Sequence, residues 1–452
     1  MGFIGHTAEE EARLLQAIGV SSFEELLAQI PQDLRLEAPL GIDPAESEPE
    51  LRREVLRLAN RNYDPQHYVS FLGAGMYDHA IPAAIDQLTL RPEFYTAYTP
   101  YQAEVAQGTL AVIFEFQSMI TALTGMEVAN ASMYDGASAA AEALLLARSV
   151  NRGQRVLLPD TVSPRIRGVC ASYFGSLDCE VQVLATQEGV LDPTALEAAL
   201  DDGAPVAAVL IQQPNFFGQI EPLDRIGKIV QAREGKRPHL VVSADPISLG
   251  VLKAPAELGA ETVVGDVQPL GVPPQCGGPS AGFFATRQAH IRKMPGRIAA
   301  EAYDAAGRRG FTLTLQTREQ HIRRDKATSN ICTNSALIAL RATVYMAMLG
   351  PHGLREVAEQ SLQRAAYARE TLLEVPGVKP VFDGPFFREF AIELPLDAER
   401  VVAAVADRYP ILPGVPLGRY IPGREKQLLV AVTEQRTRGD IDSLATALTA
   451  VL

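Results

Sequence analysis

The sequence predicts an α/β fold in which a large, mostly parallel sheet precedes a smaller α+β domain. From about residue 130, apolar β-branched segments alternate with helical segments, which indicates parallel strands covered by helices on both faces. The alternation ends after a long helix that Gly350 and Pro351 interrupt, and short strands interleaved with helices follow. A chain of 452 residues also exceeds one hydrophobic core, so two or three packed units are expected.

Each element of the large domain is assigned from apolar periodicity and from the turn residues that bound it. Asp135 is a good N-cap, so a helix is predicted over 137–149, and a second helix is predicted over 163–174. Strands are predicted at 155–158, 181–184, 206–212, 239–244, 262–264 and 282–285.

The small domain and the front of the chain are assigned in the same way. Helices are predicted at 335–349, 353–375, 397–408 and 440–451, and strands at 378–382, 388–393 and 428–432. Two short helices within 9–30 and an exposed linker over 37–50, rich in Pro and Glu, are predicted ahead of the large domain. The predicted divisions are an N-terminal helical arm over 1–60, a large α/β domain over 61–349 and a small α+β domain over 350–452.

Composition excludes several classes of function. The net charge of −13 argues against nucleic acid or an anionic membrane as a partner, and no apolar run is long enough to span a bilayer. The N-terminus lacks a signal-like segment, and the four cysteines form no C-x-x-C pair. The seven histidines are scattered singly, so a metal site has little support. These features favour a cytoplasmic protein with reduced thiols.

A large α/β domain followed by a small α+β domain is the order of the aminotransferase-like fold, fold type I of the pyridoxal-phosphate-dependent enzymes. A cofactor site on that fold needs a helix N-terminus for the phosphate. It also needs an Asp at a strand end for the pyridine nitrogen and a Lys for the covalent link. Asp135 and Gly136 open a suitable helix, although a capping carboxylate there would repel a phosphate. Asp245 ends the strand 239–244, where it is either the pyridine ligand or an ordinary turn former.

The third requirement, the lysine, has no candidate. The first 227 residues contain no lysine, and none occurs in the segment 264–279 after the next strand. Lys253 precedes that strand and Lys293 follows it at a distance, so both are expected to be solvated side chains. The sequence therefore predicts a vestigial cofactor site.

Six sequence blocks resemble the glycine decarboxylase P-proteins of the glycine cleavage system. These blocks are 71–79 (FLGAGMYDH), 91–108 (RPEFYTAYTPYQAEVAQG), 123–126, 130–136, 212–218 and 329–334. The resemblance runs over nearly the whole chain. The Gly-Ala-Gly at 73–75 lacks the third glycine of a dinucleotide-binding loop, so that alternative is set aside.

The resemblance implies that this chain is the separate N-terminal half, subunit 1, of a two-subunit enzyme. Gln268 occupies the position at which the other half carries its lysine, by alignment on the Gly-Gly-Pro segment at 277–279. The resemblance also implies a β subunit that binds the pyridoxal phosphate, in an α2β2 assembly. It also implies that glycine loses its carboxylate as carbon dioxide and that the aminomethyl group passes to the lipoyl arm of an H-protein.

Two segments are candidates for reaching the partner's active site, because enzymes of this fold build their sites at a dimer interface. Tyr95, Tyr98, Tyr101 and Gln102 surround Pro100, where they are either site residues or ordinary interface aromatics. Thr328, Ser329 and Asn330 lie in a segment that resembles the phosphate loop of related enzymes, although its glycine is absent. The alternative for this second segment is a basic loop at an interface.

Two rival functions remain open on the sequence. One is an independent pyridoxal-phosphate enzyme that uses an unexpected lysine. The other is a structural or regulatory relative that takes no part in catalysis.

Overall fold

The computed structural model describes residues 5–36, 40–275 and 278–452. Part of the predicted linker, residues 37–39, and both Cys276 and Gly277 lie outside the described residues. The chain divides into two compact units between Tyr63 and Asp64. Among the described helices, none is long and apolar enough to cross a membrane.

The described part of the first unit contains three α-helices. They are α1 (Ala8–Ile18), α2 (Phe23–Leu27) and α3 (Glu48–Ala59). The first two confirm the prediction of two short helices, and Thr7 begins α1 with a capping box to Glu10. The linker prediction is wrong for its last three residues, because Ser47 and Glu50 form a second capping box and begin α3 there.

The second unit begins with elements that the sequence did not assign. They are β1 (Val69–Ser70), α4 (Ala84–Thr89), α5 (Pro92–Tyr95) and α6 (Gln107–Thr124). Apolar residues occur all round α6, so its periodicity is weak, yet Leu110, Ile113 and Phe116 are buried.

A seven-stranded sheet forms the centre of the second unit. Its strands are β2 (Val128–Ala129), β3 (Arg155–Pro159), β4 (Glu180–Leu184), β5 (Val206–Gln213), β6 (His239–Ala244), β7 (Thr262–Asp266) and β8 (Gly282–Thr286). Their order is β2-β8-β7-β6-β5-β3-β4. β8 runs antiparallel to both of its neighbours, and β3 to β7 are parallel. The large, mostly parallel sheet is therefore confirmed.

Helices cover both faces of this sheet. The connecting helices are α7 (Gly136–Asn151), α8 (Pro164–Phe174), α9 (Pro193–Asp201) and α10 (Leu223–Gln231). Two large apolar clusters lie on the two sides of the strands, so β5 and β6 are buried almost throughout. A hairpin of β9 (Ile298–Tyr303) and β10 (Arg309–Thr314), absent from the predicted elements, packs on α6, and the short α11 (Gln320–Arg323) follows.

A long helix, α12 (Ala336–Leu373), leads into the last part of the chain, and Gly350 breaks its regularity with φ of 60°. The remaining elements are β11 (Lys379–Pro380), β12 (Glu389–Glu393), α13 (Ala398–Arg408), β13 (Ile411–Leu412), β14 (Val415–Pro416), β15 (Gln427–Ala431) and α14 (Arg438–Val451). Four of these strands form an antiparallel sheet in the order β11-β12-β15-β14. β13 pairs instead with β1 in parallel, Val69 opposite Ile411.

Candidate functional site

A cleft opens at the carboxyl ends of the parallel strands. The strand order reverses next to β3, whose neighbours are β4 on one side and β5 on the other. Ligands of open α/β sheets bind outside the strand ends at such a reversal. Here the ends of β5, β6 and β7, the first turn of α7, residues 74–77 and residues 387–389 line the cleft.

Carboxylates occupy the helix end that would bind a phosphate. Asp135 caps α7 by accepting a hydrogen bond from the Ser138 N–H at 2.7 Å, and Arg165 pairs with its other oxygen. Burial raises the pKa of Asp135, but the bonds from Ser138 and Arg165 more than offset this and hold it below its ordinary value. The carboxylate therefore stays charged at the end of α7.

A second carboxylate lies at the same helix end. The Gly136 N–H donates to Asp266 Oδ2 at 3.2 Å, and the Ser280 hydroxyl donates to Asp266 Oδ1 at 2.7 Å. Burial raises the pKa of Asp266. A side chain on Gly136 would press within 2.9 Å of the Asp266 backbone nitrogen, so the helix and β7 are in close contact. Two N–H groups at the N-terminus of α7, those of Gly136 and Ser138, thus already donate to carboxyl groups of this chain.

Asp245 is held by an arginine rather than left open to a ligand. One of its oxygens pairs with the buried Arg388, and the other accepts the Ser248 N–H at 2.9 Å. The Arg388 guanidinium lies over the Tyr77 ring, 3.6 Å from its centroid. A pyridine nitrogen would have to compete with Arg388 for this carboxylate.

Arg388 also begins a chain of buried polar contacts that ends at Glu434, just beyond β15. Its Nη1 contacts His79 Nε2, and His79 Nδ1 lies 2.7 Å from Glu434 Oε2. Because an arginine can only donate, the geometry assigns the imidazole hydrogen to Nδ1 and makes Glu434 its acceptor. Burial raises the pKa of Glu434, but the interactions with His79 and the bond from the Ala80 N–H together outweigh it and leave that pKa below its ordinary value.

Gln268, at the expected lysine position, forms hydrogen bonds with the backbone of Tyr77. Its Oε1 accepts the Tyr77 N–H at 2.9 Å, and its Nε2 donates to the carbonyls of Tyr77 and Val272, each at 2.8 Å. The side chain is 1% exposed. An amide satisfies this donor and acceptor set, which a lysine ammonium could not, because it has no acceptor.

Glu389, Arg388 and Tyr77 are site residues that the sequence reasoning missed. Glu389 accepts the Ala74 N–H at 2.6 Å and the Tyr77 hydroxyl at 2.8 Å. Burial raises the pKa of Glu389 to about 7. A signal was present in the consecutive charges of Arg388 and Glu389 at the start of an apolar strand, since buried charges at such a place need partners.

The cleft therefore does not fit covalently bound pyridoxal phosphate. Asp135 and Asp266 fill the phosphate position, Arg388 neutralises Asp245, and Gln268 cannot form the covalent link. Among the residues described, no lysine lines the cleft.

The candidate tyrosines lie elsewhere, on the surface. Tyr95, Tyr98 and Tyr101 are 60%, 87% and 51% exposed, and Gln102 is exposed beside them. The Tyr101 hydroxyl accepts a hydrogen bond from Arg297 Nη2 at 2.9 Å, while Tyr98 projects furthest into solvent. None of these four residues lines the cleft.

The second candidate segment lies close to Tyr101. The Thr328 N–H donates to the Arg318 carbonyl at 3.3 Å, and the Arg318 guanidinium donates to the carbonyl of Gly296, the neighbour of Arg297. Ser329 contacts the buried Glu142, whose pKa burial raises to about 7. Thr328 and Asn330 are exposed. Contacts through Arg318, Gly296 and Arg297 thus link the second candidate segment to Tyr101, and neither segment lines the cleft.

The sequence model for the glycine cleavage system P-protein matches residues 1–448. Among similar proteins is a probable glycine dehydrogenase (decarboxylating) subunit 1 of Carboxydothermus hydrogenoformans, 48% identical over 448 residues and 99% of each chain. A protein of the same name from Anoxybacillus flavithermus is 48% identical over 98% of this chain and 97% of its own.

Solved structures agree with this likeness. A crystal structure of glycine decarboxylase (P-protein) of the glycine cleavage system, in inhibitor-bound form, is 43% identical with a TM-score of 0.89, over 100% of both chains. Glutamate decarboxylase of Lactobacillus brevis has a TM-score of 0.70 at 13% identity, covering 95% of this chain and 96% of its own. The predicted aminotransferase-like fold, fold type I, is therefore confirmed, and the chain belongs to the glycine cleavage system P-protein family.

Proposed function

We propose that this chain is subunit 1 of a two-subunit glycine decarboxylase and that it lacks the lysine that binds the cofactor. With a β subunit that binds pyridoxal phosphate, it removes the carboxyl group of glycine as carbon dioxide and transfers the aminomethyl group to the lipoyl arm of an H-protein. The cofactor supplies an electron sink on the partner chain. The full-length similarity to proteins named glycine dehydrogenase (decarboxylating) subunit 1 supports this function.

One observation supports placing the cofactor on the partner chain: groups of this chain already occupy the positions in the cleft that would bind it. Each group that would hold the cofactor has a partner within the chain, namely Arg165 for Asp135, Arg388 for Asp245 and the Tyr77 backbone for Gln268. Such a cleft is stable without a ligand, so catalysis is assigned to the partner. An α2β2 assembly in the cytoplasm is part of the same proposal.

The exposed tyrosines and the loop at 328–330 are this chain's proposed contribution to the partner's site. Tyr95, Tyr98, Tyr101 and Gln102 would face the substrate, and Thr328, Ser329 and Asn330 would face the cofactor phosphate. Their closeness and exposure support a shared surface that the β subunit covers.

Reconstitution tests the function. We expect glycine–carbon dioxide exchange only when this chain is combined with the lysine-bearing subunit 2, pyridoxal phosphate and lipoylated H-protein. Borohydride reduction followed by mass spectrometry of both chains should locate the cofactor on the partner. A stoichiometric adduct on any lysine of this chain would establish the independent enzyme instead. Full exchange by subunit 2 alone would leave this chain the structural or regulatory relative.

Single substitutions test the loop. Thr328→Val keeps the shape of the side chain and removes its hydroxyl. If that hydroxyl bonds the partner's cofactor phosphate, its loss should weaken cofactor retention by roughly 10- to 150-fold, since a bond to a charged group contributes about 1.5–3 kcal/mol. Thr446→Val on the exposed face of α14 is the matched control and should retain cofactor normally. Normal retention by the Thr328 variant would remove this residue from the proposed site.

A further inference from the structure

A buried ion pair beside Tyr101 lacks most of its hydrogen-bond partners. Arg297 is 2% exposed, and its Nε and Nη1 have no acceptor among the described residues. Both oxygens of the buried Glu319 lack a donor there as well. The two groups approach only to 3.8 Å, Nε to Oε2, which is too long for a hydrogen bond.

Among the residues that the structure describes, Tyr101 is the side chain to which Arg297 donates a hydrogen bond. Its Nη2 donates to the Tyr101 hydroxyl at 2.9 Å, and the guanidinium carbon lies 5.2 Å from the ring centroid. Since a guanidinium only donates, the phenol oxygen must accept, and its own hydrogen points away from Arg297. Among the described residues, no acceptor takes that hydrogen. Tyr101 is thus held as a donor at a half-exposed surface.

The charge around this hydroxyl favours an anionic acceptor. Arg297 and Arg318 are both buried here, and Glu319 is the only carboxylate that the described structure pairs with Arg297. Arg318 is directed at backbone carbonyls, which carry no charge. His321 lies against Tyr101 with ring centroids 6.2 Å apart, and its Nδ1 is 3.6 Å from Glu319. Two buried guanidinium groups against one carboxylate leave an excess of positive charge.

We propose that Arg297 is a positioning residue that orients the Tyr101 hydroxyl to donate to an anionic oxygen in the partner's active site. This inference rests on the proposed function. The oxygen belongs either to the substrate carboxylate or to the cofactor phosphate, which present the same acceptor chemistry. Tyr101 is thereby distinguished from Tyr95 and Tyr98, for which the structure gives no such anchoring contact among the described residues.

The test combines Tyr101→Phe, Arg297→Lys and the double variant, each assembled with wild-type subunit 2. Tyr101→Phe deletes only the hydroxyl of a half-exposed ring, so folding should be retained. We expect kcat/KM for glycine–carbon dioxide exchange, or cofactor affinity measured by equilibrium dialysis, to fall roughly 10- to 150-fold. A raised KM with unchanged cofactor affinity identifies the substrate carboxylate, and weakened cofactor affinity identifies the phosphate.

Arg297→Lys keeps the positive charge but loses the planar guanidinium. It should therefore lower whichever of kcat/KM and cofactor affinity Tyr101→Phe lowers. The positioning role predicts that the double variant is no worse than Tyr101→Phe alone. Independent, additive losses would show that Arg297 acts by another route and would overturn the proposal. So would a Tyr101→Phe enzyme that is normal in kcat, KM and cofactor affinity.

Tyr420→Phe provides the matched control, because this phenol is 48% exposed on a different part of the chain. It should leave both parameters unchanged, and a fall equal to that of Tyr101→Phe would overturn the proposal by showing a nonspecific effect. Wild-type heteromer that shows no exchange would refute the proposed function and the inference together. Active wild type with an unaffected Tyr101 variant would refute the inference alone.

Discussion

Glu389 shows how a single buried side chain can make the stability of the molecule depend on pH. It holds two parts of the chain together by accepting from Ala74 and Tyr77, and burial raises its pKa from 4.5 to about 7. Arg388 favours its charged form and Asp245 opposes it, but burial dominates. Because the folded state binds the proton more tightly, the group's stabilising contribution is complete below pH 4.5 and is lost as pH rises through about 7.

Glu389→Gln should therefore become more stable relative to wild type as pH rises from 5 to 8. Glutamine can accept from Ala74 and donate to the Tyr77 oxygen, so the hydrogen bonds survive while the ionisation is removed. The change in relative free energy is at most about 3 kcal/mol. Thermal midpoints of the assembled protein at several pH values measure it. If the stability difference between Glu389→Gln and wild type does not change with pH, Glu389 is not the titrating group. The same holds if the exposed control Glu257→Gln shows an equal change.

At the scale of an element, α7 is stabilised by the same residue that closes the phosphate position. Asp135 accepts from Ser138 within a capping box, and it also pairs with the half-exposed Arg165. The cap and the ion pair both contribute to the free energy of unfolding, but an ion pair exposed to water contributes little. The cap is therefore expected to dominate.

Asp135→Ala should lower the free energy of unfolding by about 1 kcal/mol, the usual effect of losing an N-cap. Asp135→Ser should retain most of that stability, since a serine hydroxyl also accepts the Ser138 N–H. Chemical denaturation of the two variants beside wild type measures the difference. Asp192→Ala, which removes the cap of α9, is a control for the cost of a cap away from the cleft. Equal losses for the Ala and Ser variants at 135 would mean that the Arg165 pair dominates instead.

At the scale of the whole molecule, the sequence predicts the buried parallel strands well and the surface elements poorly. β5 and β6 are continuous apolar runs bounded by turn residues, and their predicted limits are within one residue of the observed ones. The hairpin of β9 and β10 is only partly buried, so it has no comparable pattern. The helix α6 was missed for the opposite reason, since it is apolar on most sides.

The residues of the candidate site likewise differ in how well the sequence predicts them. Asp135, Asp245 and Gln268 could be located because they stand at fixed places relative to strands and helices. Their partners could not all be located: Arg388 lies 143 residues from Asp245, and Gln268 lies 191 residues from Tyr77. Only the tertiary fold brings those groups together. Whether Tyr95, Tyr98, Thr328 and Asn330 reach a partner's site stays a prediction.

The parallel pairing of β1 with β13 has a consequence for the order in which the chain is made. Residues 69–80 leave the ribosome long before the strands that receive them, because Val69 pairs with Ile411 and His79 bonds Glu434, 355 residues later. Until Ile411 and Glu434 have been synthesised, Tyr77 cannot be held in its native position against Gln268. Contacts of such long sequence separation form slowly. One wall of the cleft is thus completed only at the end of synthesis, after the central sheet has been translated in full.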